Sequence, residues 1–137
     1  MSCKSALYAA MQTPVGVAVN GVIPLGSLIR QYGCDIRLNG NAVNLLGGKE
    51  SAGYYDVDAS VTLTPLTAGP VTVTLYMDGV AVPGATATAD AAADTAVDLS
   101  IPALVRQGCC CVGSALTLVL TGTAATVDNV ALRVQRI

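Results

Sequence analysis

The sequence has no tryptophan, no phenylalanine and no histidine, and only 12 % of its 137 residues are charged. Without histidine the usual Ser-His and Cys-His nucleophile pairs are impossible, although serine and threonine are plentiful. Five tyrosines, Tyr8, Tyr32, Tyr54, Tyr55 and Tyr76, are the whole aromatic content, a thin supply for the platforms on which glycans stack. Nine acidic and seven basic residues give a net charge of −2, and Arg30, Arg37, Arg106, Arg133 and Arg136 are scattered. The chain therefore lacks the electrostatic footprint of a nucleic-acid binder. No apolar run approaches the roughly 20 residues that span a bilayer, so membrane insertion is not expected. No glycine-rich loop follows a strand and opens a helix, so nucleotide binding has no support and no cofactor is expected.

What is present is valine, alanine and leucine with threonine between them, 53 % hydrophobic in all. Ordinary globular domains have about 45–50 % apolar and about 25 % charged residues. β-Branched residues suit strands. A surface so poor in charge implies coverage by other subunits, because large exposed apolar patches are rare on monomers. The length is one domain's worth.

The chain is organised around Gly53–Ala85. From Tyr55 to Leu63 apolar and polar residues alternate strictly, which puts Tyr55, Val57, Ala59, Val61 and Leu63 on one face of a strand. Val71, Val73, Leu75 and Met77 share a face in the next run, which stops at Asp78-Gly79 before Val80-Ala81-Val82. Asp-Gly between two such runs is a hairpin signal, since a type I′ turn needs positive φ at both central residues.

The rest also reads as strands. Thr13 to Val19 alternates loosely, and Asn20-Gly21 signals a turn before Val22-Ile23-Pro24-Leu25, where Pro24 argues for an edge strand or bulge. Ser27–Tyr32 is short and ambiguous. Cys34 to Leu38 alternates with Ile36 and Leu38 inward, Asn39-Gly40 forms a tight turn, and Val43-Asn44-Leu45 follows. Gly47–Ser51 is expected to be exposed. Ala85–Ala96 reads as a strand running into a loop, and Val97–Ile101 as a strand up to Pro102, with Leu104–Arg106 a short strand or turn. Leu116, Leu118 and Leu120 share one face, and Val130, Leu132 and Val134 another. Short strands with regular turn signals mean an all-β sandwich or barrel. Residues 1–12 carry one lysine and an apolar part shorter than the 7–15 residues of a signal peptide. They are read as an uncleaved N-terminal arm, made without a signal peptide, ahead of a single domain over 13–137.

Two motifs carry a family resemblance. Gly53-Tyr54-Tyr55 opening a strand, and Leu75-Tyr76-Met77-Asp78-Gly79-Val80 closing the next, resemble the trimeric jelly rolls of the tumour necrosis factor and complement globular-head type. Bacterial relatives of that pattern cap collagen-like spore-surface fibres and phage fibres. The resemblance covers Gly53–Gly84, extends over Ala115–Ile137 and does not reach residues before 40. It implies a single-domain jelly-roll β-sandwich of eight strands in Greek-key order, assembled as a homo-oligomer, most simply a trimer. It is not a catalytic signature and does not name a partner.

Five cysteines remain: Cys3, Cys34 and the run Cys109, Cys110 and Cys111. Adjacent strand residues point to opposite faces, so three consecutive cysteines without histidine fit zinc badly, and no metal site is expected. The odd count leaves at least one thiol without a partner in the chain. Two readings stand side by side: buried reduced thiols acting as small apolar groups, or disulfides within and between subunits, with Cys3 on the arm as a cross-linker. Disulfide-stapled spore appendage subunits also join a cysteine-bearing arm to a jelly roll, with a different cysteine spacing.

The carboxylates that draw attention are Asp56/Asp58 and the series Asp90, Asp94, Asp98. Asp56 and Asp58 are neighbours on the outer face of a strand, where they could flank a glycosidic bond or hold Ca²⁺. Solvated face charges are far commoner, and that is the reading adopted. The expectation is a non-enzymatic structural subunit that self-assembles, such as a phage fibre, tail-tip or capsid-decoration protein on a virion or extracellular surface. A spore or cell-surface fibre subunit is the alternative, and a carbohydrate-binding module facing a cell-surface glycan is the alternative of another class. Expected partners are other copies of the chain and other virion or surface-fibre proteins.

Overall fold

A strand's side chains alternate, so each apolar/polar alternation in the sequence becomes one buried and one outer face. The computed structural model describes residues 5–47, 52–108 and 113–137. Among them are β1 (Ala6–Met11), β2 (Val15–Val17), β3 (Ser27–Tyr32), β4 (Ile36–Asn39), β5 (Ala42–Leu46) and β6 (Gly53–Pro65). There follow β7 (Gly69–Met77), β8 (Val80–Ala91), β9 (Val97–Gln107), β10 (Gly113–Thr121) and β11 (Ala125–Arg136). All pairings are antiparallel. One sheet has the order β3-β1-β11-β6-β9, with β2 also paired to β11, and the other the order β4-β5-β10-β7-β8.

Eight of these strands, β1-β11-β6-β9 and β5-β10-β7-β8, make the two four-stranded sheets of a jelly roll, as expected. The short strands β2, β3 and β4 are additions to that frame. β11 lies between β1 and β6, and β10 between β5 and β7, so partners distant in sequence alternate with near ones.

The two inner faces meet through Tyr55, Val57, Ala59, Val61 and Leu63 of β6, Val71, Val73 and Leu75 of β7, Leu116, Leu118 and Leu120 of β10, and Val130, Leu132 and Val134 of β11. All are at most 1 % exposed. Each fully buried valine or leucine contributes about 1.5–3 kcal/mol. The threonines between them face the other way. Thr72 and Thr88, and Thr74 and Thr86, approach to 2.9 Å between Oγ1 atoms on the outer face of the second sheet.

Turn chemistry follows the sequence closely at one hairpin and less closely at others. Asp78 (φ 54°) and Gly79 (φ 82°) form the β7–β8 turn with both central residues in the left-handed region, and Asp78 Oδ1 accepts the Ala115 N–H (2.9 Å). The β4–β5 turn is centred on Gly40 (φ 61°) and Asn41, one residue beyond the expected Asn39-Gly40 pair. Asn20 (φ 67°) sits third in a turn closed by Gly21 N–H donating to Ala18 O at 2.9 Å.

Three expectations are corrected. The N-terminal arm expected over residues 1–12 is, from Ala6 to Met11, strand β1 between β3 and β11, because Leu7, Ala9 and Met11 alternate and are buried. Pro102 does not end its strand: β9 runs on through Leu104 and Arg106. Pro102 faces outward on an edge strand paired only to β6, where a missing N–H breaks no ladder bond. Val22–Leu25 is not a regular strand. It touches β10 through one bridge, Val22 to Val119, and inserts Ile23 and Leu25 into the core. The exposure expected for Gly47–Ser51 lies, beyond Gly47, outside the described residues.

The opposed faces of β10 make the strand register measurable. Leu118→Ala is expected to cost about 2–5 kcal/mol in chemical denaturation, from lost burial and a residual cavity. Thr117→Ala, pointing away from the core, is expected to cost under about 1 kcal/mol. Equal losses would contradict the register.

Candidate interaction surface

The outer face of the β3-β1-β11-β6-β9 sheet gathers most of the exposed aromatic and apolar side chains. Antiparallel register arranges it in rows across the strands. One row reads Tyr32, Ala6, Gln135, Asp56, Leu104. The next reads Arg30, Tyr8, Arg133, Asp58, Pro102, and the one beyond it Ser27, Ala10, Ala131, Ser60, Ser100. The face is thus lined by small residues toward one pole and by rings, charges and apolar groups toward the other.

β3 is the extreme case. Every one of its residues is exposed, Leu28, Ile29 and Tyr32 included. The register skips between Tyr8 and Ala9, which leaves Ile29 as an extra, bulged residue. Between β3 and β1 lies an open groove of about 630 Å³ lined by Tyr8, Ile29, Arg30, Tyr32 and Arg133. A second hollow, of about 470 Å³, opens at the opposite edge, where the β7–β8 hairpin meets β9. Its lining includes Met77, Val80, Pro83, Leu104 and Arg106.

Asp56 and Asp58 lie on this outer face as the alternation placed them. Arg133 Nη2 stands between them, 3.3 Å from Asp58 Oδ2 and 3.7 Å from Asp56 Oδ2. The guanidinium already supplies the positive charge that Ca²⁺ would bring. No group of three or more potential metal ligands occurs among the described residues. The series Asp90, Asp94, Asp98 does not converge. Asp90 is on β8, Asp94 occupies a turn at φ 60°, and Asp98 on β9 accepts the Thr62 hydroxyl at 2.6 Å. Of the tyrosines, Tyr8, Tyr32 and Tyr54 are exposed on the first sheet, whereas Tyr55 is core.

At the pole where β1 begins and β11 ends, a buried polar cluster binds the chain's extremities. Arg136 Nη1 pairs with Asp35 Oδ2 at 2.8 Å, and Nη2 donates to Ala52 O at 2.6 Å. Ser5 Oγ donates to Asp35 Oδ2 (3.0 Å) and accepts the backbone N–H groups of Cys34 and Asp35, each at 3.1 Å. The Arg136 guanidinium lies 6.0 Å over the Tyr55 ring. Burial pushes the Tyr55 phenol above its ordinary value of 10.0, the Asp35 carboxylate pushes it further, and Arg136 opposes them. Nothing local in the sequence marks this cluster, whose members stand 30 and 101 residues apart. β4 starts only at Ile36, so Asp35 sits in the turn before it and points inward.

Cys34, beside Asp35, is exposed and disulfide-bonded, and its Sγ lies 4.0 Å from Asp35 Oδ1. Cys3, Cys109, Cys110 and Cys111 lie outside the described residues.

Buried and exposed ion pairs separate cleanly in a test. Arg136→Ala strands a buried carboxylate and is expected to lower stability by about 3–5 kcal/mol. Asp56→Asn and Asp58→Asn, in exposed pairs, are expected to stay within about 0.5 kcal/mol of the parent, and EDTA to leave Tm unchanged. A clear EDTA effect mimicked by either variant would instead indicate bound calcium. Alkali probes Tyr55. Its raised pKa means that the unfolded chain loses this proton first, so the stability is full below pH 10 and is lost as pH rises through the folded-state value. The difference in tyrosinate absorbance between the parent and Tyr55→Phe should develop only above pH 10, together with unfolding, and a difference developing at the ordinary phenol value would contradict this.

No family model matches the chain, and no curated protein matches it in sequence. Solved structures do match it in shape. Murine APRIL (pH 5.0) is similar at 10 % identity and a TM-score of 0.70, over 96 % of this chain and 98 % of that one. The globular domain of zebrafish complement 1qA is similar at 8 % identity and a TM-score of 0.70, over 96 % of each chain. PRD1 vertex protein P5 is similar at 13 % identity and a TM-score of 0.66, over 100 % of this chain and 99 % of that one. The chain therefore has the jelly-roll fold of the tumour necrosis factor and complement globular-head type, which it shares with a vertex protein.

Proposed function

We propose that this chain is a non-enzymatic structural subunit that works by self-assembly, as a homotrimer, in a virion. The observation that carries the reading is the outer face of the β3-β1-β11-β6-β9 sheet. There Tyr8, Ile29, Tyr32, Tyr54 and Leu104 stand exposed on one sheet of a chain with few charges. Water contact with these groups is unfavourable, and a second copy is the cover that the chain itself can supply. The fold-level likeness to murine APRIL, to the complement 1qA head and to a vertex protein supports assembly as the mode of action. The vertex protein, matched over the whole of both chains, favours a virion surface over a spore or cell-surface fibre. Cross-links between copies through cysteines other than Cys34, which is already disulfide-bonded within the chain, belong to the same reading.

The absence of histidine and the arginine between Asp56 and Asp58 support a role without catalysis. Light scattering on the purified protein is expected to give three times the chain mass of 13.8 kDa. A monomer at micromolar concentration contradicts the proposal, and a mass that falls under reducing conditions assigns the cysteines to the contact.

A further inference from the structure

Gly33, Cys34 and Asp35 carry the chain from β3, an edge strand of the first sheet, to β4, an edge strand of the second, and belong to neither. Every residue of β3 is exposed, so little packing steadies this crossing from that side. Two other constraints hold it. Cys34 is exposed and disulfide-bonded. Beside it, the backbone N–H groups of Cys34 and Asp35 donate to Ser5 Oγ, and the buried Asp35 carboxylate accepts from Ser5 Oγ and Arg136 Nη1. The second constraint reaches both extremities of the sandwich. Ser5 precedes β1, Arg136 closes β11, and the Arg136 N–H donates to Ser5 O at 2.8 Å.

We infer that the Cys34 disulfide is a redox-sensitive latch, which keeps the Ser5–Asp35–Arg136 clasp closed and so pins the start of β1 to the end of β11. A buried carboxylate–guanidinium pair is favourable only in good geometry, because both charges have given up water. Asp35 keeps that geometry while the turn carrying it is fixed. The disulfide fixes the neighbouring residue, and its loss returns conformational freedom to a segment that no sheet holds. Exposure leaves the Cys34 sulfur open to thiols, and exposed disulfides are the more reducible ones.

The chemistry is thiol–disulfide exchange with a small thiol. Its thiolate attacks one sulfur of the bridge, and the other leaves as a thiolate that takes up a proton. A second small thiolate then displaces the remaining protein sulfur. Two protein thiols and one small disulfide result, with two electrons passing from the small thiols to the bridge. Closing is the reverse, with the small disulfide as oxidant. Asp35 Oδ1, 4.0 Å from the Cys34 sulfur, disfavours negative charge there, so the clasp slows exchange at the bond that supports it. Reducing surroundings open the latch and oxidising ones close it. The coupling is reciprocal: by the factor that the disulfide favours the closed clasp, the closed clasp favours the disulfide.

The test is hydrogen exchange, read peptide by peptide at matched concentration, on the parent and Cys34→Ser with and without dithiothreitol. Dithiothreitol is expected to speed exchange of the parent about tenfold or more over residues 5–8 and 133–137 and to leave residues 57–63 and 71–75 as they were. Cys34→Ser is expected to show the fast rate at both ends with or without the reductant, which separates this bond from any other disulfide. A variant as protected as the oxidised parent, or one that dithiothreitol still speeds as it does the parent, overturns the inference. Equal acceleration over all peptides also overturns it, since the bond would then support the whole fold. The reciprocal arm leaves the cysteines intact. Ser5→Ala, equilibrated in a glutathione buffer and read by alkylation of Cys34, is expected to lower the equilibrium constant for the disulfide about tenfold, equivalent to about 30 mV. An unchanged constant overturns the inference. Should Cys34→Ser fail to fold, the parent with and without dithiothreitol and the Ser5→Ala arm decide the question.

Discussion

The structure depends on the phase of one strand. β6 is hydrogen-bonded along both edges, to β11 on one side and β9 on the other. Its inward residues, Tyr55 to Leu63, are wholly buried. A slip of one residue against either neighbour would drive Asp56 and Asp58 into the sandwich and turn Val57 and Ala59 outward, a cost no other contact in the fold offsets. With that phase set, the faces of β11, β1 and β9 follow by register. The outer rows that gather Tyr8, Tyr32, Arg133 and Leu104 are the reverse side of the same constraint.

What was legible in the sequence is what this period-2 rule writes locally. The core of β6, β7, β10 and β11 appears residue by residue in the alternation, and Asp78-Gly79 announces its turn by chemistry that few other pairs satisfy. The expectation of two jelly-roll sheets follows from the strands together with the two Gly53–Gly84 motifs. β1 was harder. Six residues with an alanine-rich pattern look like a tail until β11, more than a hundred residues later, is laid beside them. Pro102 misled for a similar reason: whether a proline stops a strand depends on which edge is free, and that is a property of the sheet.

The candidate surface was only half legible. Asp56 and Asp58 were placed on an outer face by counting, but their neighbour Arg133 comes from another strand. The buried cluster of Ser5, Asp35 and Arg136 left no trace, since its members are joined by topology alone. Its character differs from that of the core. An apolar interior tolerates small shifts, whereas a guanidinium that must reach both Asp35 Oδ2 and Ala52 O fixes position and angle together. Gln107 acts in parallel, accepting the Ser114 hydroxyl and donating to Leu46 O, and so ties the two sheets together at the same pole.

β1 and β11 run antiparallel, with Ala6 opposite Gln135, so the chain enters and leaves the sandwich side by side. The bends after β6 and β10, and the loop between β8 and β9, all fall at the far pole. The molecule therefore has a root and a crown. A tether or cargo joined at either end departs from the root, and the crown, built of short loops, is left free.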